Sequence, residues 1–385
     1  MSILDEVSKL TCDLVAIESV NPDLVAQGSG ESAIAAFVAS WLRDHGLVVE
    51  SIEPLPGRPS VVGVLRGKGG GRSLMLNAHM DTVGEGGMRD AFKPRVESGR
   101  IYGRGAYDMK GSLAAIMVAA AEARRLDLAG DLIVTAVADE EVASVGTSAV
   151  LERFTADAGI VSEPTELRLC AAHKGFVWLE LEVRGVAAHG SRPDLGVDAI
   201  AAAGPILSLV AELDAALRAG PRHPLLGTGS IHASLIEGGQ EMSTYPARCL
   251  LQLERRTVPG EDGRSVLAEL QQVIAAARRR DPRLEASVRV TLERNPSEVS
   301  PDSDVARAVG ASAGDALGRA AAVVGVSYWM DMALLNEAGI PTVAFGPSGE
   351  GEHADVEWVD CASLELCVNA YVNAAARLCG PVPPP

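Results

Sequence analysis

The chain has 385 residues, 47% of them hydrophobic and 22% charged, which suits a globular protein of two domains. Its formal net charge of −17 repels phosphate backbones and anionic lipid, which argues against nucleic acid and membrane surfaces as partners. Residues 4–19 have helical periodicity, broken at Ser19-Val-Asn-Pro, and Glu31–His45 reads as a second helix. Short apolar runs follow that read as buried strands: Ser60–Leu65, Leu74–Ala78, Leu132–Ala138, Gly159–Val161 and Thr342–Phe345. Helical stretches lie between them, chiefly Ser112–Arg125 and Ser144–Arg153. Buried strands alternating with helices predict an α/β fold whose mostly parallel sheet carries helices on both faces.

The texture changes near residue 174. Phe176–Val183 (FVWLELEV) alternates as a half-exposed strand should. Val197–Arg218 reads as a helix interrupted at Gly204-Pro205, and Ser230–Ile236 and Cys249–Leu253 as strands. Ser265–Arg280 is a helix with basic residues at its C-terminus, and Ala286–Leu292 a last strand. The order β-α-β-β-α-β is that of a ferredoxin-like domain. It is expected as an insertion at 174–292, interrupting a larger domain of residues 1–173 and 293–385. The terminal GPVPPP is expected to fray.

The longest apolar run singled out, Leu113–Ala121, is too short to span a bilayer, and MSILDEVSKLTCDLV carries charges where a secretory signal needs an apolar core. The six cysteines (12, 170, 249, 361, 367 and 379) are scattered, with no C-x-x-C. They read as thiols in a reducing compartment, and the protein as cytoplasmic. Gly67-Lys-Gly-Gly-Gly-Arg72 lacks the spacing of a phosphate loop and reads as a turn.

The chemistry gathers where predicted strands end. Leu74–Ala78 is followed by His79-Met-Asp81, Leu132–Ala138 by Asp139-Glu140-Glu141 and Gly159–Val161 by Ser162-Glu163. A glycine-rich loop leads from Thr342–Phe345 to His353, and Asp108 stands in Gly103-Arg-Gly-Ala-Tyr-Asp-Met-Lys110. The C-terminal edge of an open α/β sheet is where ligands bind. Any one of these residues alone fits a solvated turn, a helix cap or a core histidine. Carboxylates crowded together repel, and a divalent cation such as zinc removes the conflict.

Five motifs in order carry a resemblance over nearly the whole chain: Asn77-Ala-His-Met-Asp-Thr-Val83, Gly103–Gly111, Asp139-Glu-Glu141, Ser162-Glu-Pro-Thr165 and Glu352-His-Ala354. The chain resembles the zinc-dependent M20 family of metallopeptidases and N-acyl-amino-acid amidohydrolases, a family that includes acetylornithine deacetylase and succinyl-diaminopimelate desuccinylase. The resemblance implies two Zn2+, replaceable by Co2+ or Mn2+. It assigns His79, Asp108 and Glu163 to one ion and Asp108, Glu141 and His353 to the other, with Asp108 bridging. It makes Glu140 the general base, has Asp81 accept the second imidazole hydrogen of His79, and implies a cis peptide after Asp108. The inserted domain becomes a lid and dimerisation domain, with His189 stabilising the tetrahedral oxyanion and Arg256 gripping a free carboxylate. Ser243 replaces an asparagine that contacts substrate in many relatives, so that contact is expected to differ. Asp331 is expected to anchor a loop near the site, and Met330 to make it more apolar.

The expected activity is hydrolysis of the amide of a small N-acyl amino acid by a homodimer, with a dipeptidase or carboxypeptidase as the alternative. A binding protein on an inactive hydrolase scaffold would have lost a ligand or the base, and all are present. A nucleotide-dependent oxidoreductase fails on the glycine spacing, because Asp108 stands where a third glycine belongs.

Overall fold

The computed structural model describes residues 1–381, so part of the terminal GPVPPP lies outside the described residues. The chain divides into two compact units. The first comprises Met1–Ala171, Val299–Val324 and the chain from Met330 onward; the second comprises Ala172–Glu298 and Gly325–Trp329. The expected borders at 174 and 292 therefore shift. Glu298 and Ser297 belong to the second unit because they pair with Ala172 and His173. Gly325–Trp329 joins it because Gly325 lies against Leu225 and Leu226, and Trp329 Nε1 donates to Asn295 O at 3.1 Å.

The first unit is built on a sheet whose strands run Val48–Ile52, Ser60–Leu65, Leu132–Val137, Leu74–His79, Ala158–Val161, Thr342–Ala344 and Leu169–His173 in spatial order. The middle four are mutually parallel. Every residue of Leu74–His79, Leu132–Val137 and Ala158–Val161 is buried, so both faces of the sheet are covered. The helices Gly111–Ala123 and Cys361–Cys379, with Ile3–Val15, fill the core beside it.

The second unit is a four-stranded antiparallel sheet in the order Ser230–Gly238, Arg248–Thr257, Gly175–Arg184 and Glu285–Arg294. Its elements follow the predicted β-α-β-β-α-β order. Val177, Leu179, Leu181 and Val183 point to a core closed by the helices Ala199–Ala219 and Gly263–Arg280, and the side chains between them point the other way.

Helix Ala199–Ala219 departs from expectation twice. It runs through Pro205 without a break, because Gly204 and Pro205 lie on its exposed side, where the carbonyl freed by proline faces solvent. It is also, by length and composition, apolar enough to cross a membrane, which the sequence reading overlooked in favour of Leu113–Ala121. Ala199, Ala203, Ile206 and Val210 seat it on the sheet, yet only 17% of its most apolar stretch is buried.

Candidate metal centre

Parallel register decides which side chains meet. His79 lies opposite Val137, and Asn77 opposite Val161, so the residues that follow these strands leave the sheet at one edge. Asp139 turns there with a left-handed φ of 70°, and Glu140 and Glu141 follow it. Asp108 stands in the turn before helix Gly111–Ala123, and the Asp108–Met109 peptide is cis. His353, also left-handed at φ 61°, comes from the loop before Trp358–Asp360.

Two groups of donors converge. His79, Asp108 and Glu163 form one, and Asp108, Glu141 and His353 the other; within each group the ligand atoms lie within 4.8 Å of one another. His79 Nε2 is 3.1 Å from Asp108 Oδ1 and 3.7 Å from Glu163 Oε1. His353 Nε2 is 3.4 Å from Asp108 Oδ2 and 3.1 Å from Glu141 Oε2. Asp108 thus offers one oxygen to each group.

The electrostatics follow from this crowding. Burial and the Glu163 charge push Glu140 well above the ordinary carboxylate range. Burial and the Asp108 charge do the same to Glu163, and raise Glu141. Burial also opposes ionisation of Asp108, but His353 and His79 outweigh it and hold the group below its usual range. His353 is pushed up to about 10 by its hydrogen bonds to Asp108 and Glu141. Glu141 Oε1 is buried without a hydrogen-bond partner. A convergent set of imidazole and carboxylate donors with a spare buried oxygen fits divalent cations.

Asp81 offers His79 two acceptors. His79 Nδ1 lies 2.9 Å from the backbone carbonyl of Asp81 and 3.5 Å from its Oδ1, so the carbonyl is the nearer acceptor. The Asp81 carboxylate also accepts from Asn21 Nδ2 at 2.8 Å and from the backbone N–H of Glu140 and Glu141 at 3.1 and 3.2 Å. It holds the chain that carries those two glutamates.

Sequence reasoning missed several supports. Asn21 Nδ2 also reaches Asp139 Oδ1 at 3.0 Å, and Arg58 Nη2 reaches the same oxygen at 2.8 Å. Arg58 is bound in turn by Glu31 at 2.7 and 2.9 Å and by Asp23 at 2.7 Å. Glu357 grips the Asp108 loop. The only sequence signal was the helix break at Asn21-Pro22; a partner 81 residues away, as Asp139 is from Arg58, leaves no local pattern. Asp331, read as an anchor, accepts from Thr147 Oγ1 at 2.5 Å, and Met330 beside it is fully buried.

The remaining predicted residues stand on the second unit. His189 is exposed, with Nδ1 2.8 Å from Ser191 Oγ, and its loop meets that of Ser243 where Gly190 N donates to Ser243 O at 2.6 Å. Ser243 Oγ donates to Glu241 at 3.3 Å. Arg256 donates to Glu254 Oε1 at 2.5 Å and lies over the Phe176 ring at 5.2 Å. Its neighbour Arg255 is fully buried between Glu261 and Glu269.

The sequence profile of "Peptidase family M20/M25/M40" matches residues 75–377. An acetylornithine deacetylase from Myxococcus xanthus is 31% identical over 385 residues, covering 96% of each chain. Among solved structures, a tripeptidase from Staphylococcus aureus superposes with a TM-score of 0.80 at 19% identity, over 98% of both chains. A dinuclear metal-binding M20 peptidase from Bacillus subtilis gives 0.74 at 17% identity, again over 98% of both. Fold, donor clusters and relatives together define a metallohydrolase of amide or peptide bonds. The chain belongs to the M20 family of metallopeptidases and amidohydrolases.

Proposed function

We propose that the protein hydrolyses the amide of a small N-acyl amino acid at a two-ion centre, releasing a carboxylic acid and a free amino acid. The observation that carries this reading is the pair of donor clusters sharing Asp108. The full-length similarity to an acetylornithine deacetylase supports a deacylase over a peptidase. His79, Asp108 and Glu163 would hold one ion and Asp108, Glu141 and His353 the other, zinc being the metal best suited to such donors. Bound there, the ions would lower the pKa of a water and polarise an amide carbonyl.

The chain's own residues divide the remaining work. Burial gives Glu140 a high proton affinity, which suits a base that takes a proton from water and returns it to the leaving amine. Asp81 fixes the backbone of Glu140 and Glu141 and gives His79 Nδ1 a carbonyl acceptor, which leaves Nε2 free for the metal. His189 is assigned to the oxyanion and Arg256 to the substrate carboxylate, through its planar guanidinium. Ser243 is assigned to a substrate contact, shorter than an asparagine would give.

The second unit is assigned as lid and dimerisation domain. The apolar side of helix Ala199–Ala219 and the exposed Leu235 and Ile236 of the edge strand support a homodimer, since a second copy would cover them. Native mass spectrometry reads the oligomeric state. The activity is tested by screening the zinc-loaded protein against N-acetyl and N-succinyl amino acids alongside dipeptides. Turnover of acyl amino acids is expected; turnover confined to dipeptides would replace the deacylase by a dipeptidase.

A further inference from the structure

Glu357 stands four residues after His353, and its side chain is only 1% exposed. Both carboxylate oxygens are occupied by donors from one loop. Oε2 accepts from Arg104 Nη1 at 2.8 Å and Gly105 N at 2.9 Å. Oε1 accepts from Tyr107 N at 2.9 Å and Asp108 N at 3.0 Å. Four N–H donors face the group, an arrangement only an ionised carboxylate satisfies, because a protonated acid or an amide would turn a hydrogen towards another hydrogen.

The loop held in this way carries the aspartate shared by both donor clusters. The same contacts reach the His353 segment. Arg104 Nη2 donates to the carbonyl of Ala354, next to His353, at 2.9 Å, and Gly103 N donates to the carbonyl of Glu357 at 3.2 Å. Arg104 Nε donates to Gly84 O at 2.9 Å, fastening the assembly to the chain that follows Asp81. Asp108 and His353, 245 positions apart in the sequence, are thus joined through one buried carboxylate–guanidinium pair.

We propose that Glu357 is a positioning residue of the metal centre: with Arg104 it fixes Asp108 against His353 so that both can serve the same ion. The proposal rests on the two-ion reading above. It differs from a purely structural role for the pair, because a structural role would lower stability without altering how the ions are held.

The experiment uses the full-length protein, stripped of metal and titrated with Zn2+ or Co2+ against a chromophoric chelator. Glu357→Gln keeps the shape but has one acceptor oxygen. The charged Arg104 claims that oxygen and leaves the amide NH2 facing the N–H groups of Tyr107 and Asp108. Metal affinity is expected to fall roughly 10–100-fold, as for other groups that orient ligands, with an altered visible spectrum of the Co2+ form. Glu357→Asp, which keeps the charge but shortens the reach, is expected to give a smaller loss of the same kind; it carries the test if Glu357→Gln does not fold. Val309→Ala, a cavity in the buried face of helix Asp304–Leu317, should lower the melting temperature and leave metal affinity unchanged. Wild-type affinity and Co2+ spectrum in the folded Glu357 variants overturn the proposal, as does an equal loss of affinity in Val309→Ala. A wild-type chain that takes up no ion overturns the two-ion reading and the proposal together, whereas wild-type loading beside unaffected Glu357 variants removes the proposal alone.

Discussion

His173 makes part of the second unit's stability depend on pH, and the structure gives the size of the effect. The ring is fully buried; Nδ1 donates to the carbonyl of Lys174 at 2.9 Å, and Nε2 has no hydrogen-bond partner. Burial pulls the imidazole from 6.5 down to about 4. The folded state therefore keeps the ring neutral, while the unfolded chain protonates it near its ordinary pKa. Stability is complete above about pH 6.5 and falls as pH drops towards about 4, because the unfolded state binds the proton first. A difference of roughly 2.5 in pKa, at about 1.4 kcal/mol each, sets the full loss at ~3 kcal/mol. His173→Phe keeps an aromatic ring against Trp329, whose ring centre lies 6.2 Å away, and removes the titration. The variant loses the bond to Lys174 O, a cost that does not change with pH. Urea unfolding of both proteins, from about pH 7.5 to about pH 4.5, measures the difference between them. Acid should narrow the wild-type protein's advantage by about 2–3 kcal/mol, while the buried glutamates titrate alike in both proteins and cancel. A difference that stays flat with pH would show that the ring is hydrated or already charged in the folded state.

Glu140→Ala should retain both ions by metal analysis and lose turnover by about 100- to 10,000-fold, the usual contribution of a general base; an active variant would remove the assignment. His353→Ala should lose metal as well as turnover, since it deletes a donor that lies 3.1 Å from Glu141. Arg256→Ala should raise KM for substrates with a free carboxylate far more than for their amides, and an equal rise on both would count against the clamp. Arg58→Met leaves the buried Glu31 and Asp139 without their cation, side chains 0% and 2% exposed beside an arginine 5% exposed. It should destabilise the fold by about 3–5 kcal/mol in urea unfolding; a loss below about 1 kcal/mol would mean that the pair relaxes into water.

The parts of the fold legible in the sequence are those where one local pattern decides the outcome. Ser60–Leu65 and Leu132–Val137 are continuous apolar runs because both faces of the sheet are covered, and they fold as strands within a residue of the expected ends. Gly175–Arg184 alternates because only one face meets the helices. The strand Val48–Ile52 was missed: it is an edge strand with a single buried residue, Ile52, and no clear period. Helix Cys361–Cys379 was missed for the opposite reason. Its buried residues fall on one face, but Ala362, Leu366, Val372 and Ala376 on the other face add apolar positions that blur the period; the useful signal was Asp360, whose side chain caps Ser363 N at 2.8 Å. The donors of the centre stand at strand ends and in the named motifs, so they could be read. Their supports could not, because Asn21, Arg58 and Glu357 act across 60, 81 and 249 positions.

The acidic cluster that ends strand Leu132–Val137 contains two kinds of carboxylate, and hydrogen bonding tells them apart. Asp139 is met by Arg58 and Asn21, and Asp81 by Asn21 and the N–H groups of Glu140 and Glu141. Glu357, elsewhere in the chain, is met by four N–H donors. The protein itself supplies the hydrogen-bond donors of these groups, which ties them to the backbone and side chains around them. Glu141 has a buried oxygen without a partner, and Glu140, Glu141 and Glu163 are all driven towards protonation by burial and by neighbouring carboxylates, Asp108 foremost for Glu141 and Glu163. His79 and His353 meet only part of their charge, at the point where Asp108 joins the two groups of donors. A buried carboxylate in excess of its partners either takes up a proton or is balanced by a cation. On the proposed reading the satisfied carboxylates frame the centre, and the unsatisfied ones are those assigned to the ions and to proton transfer.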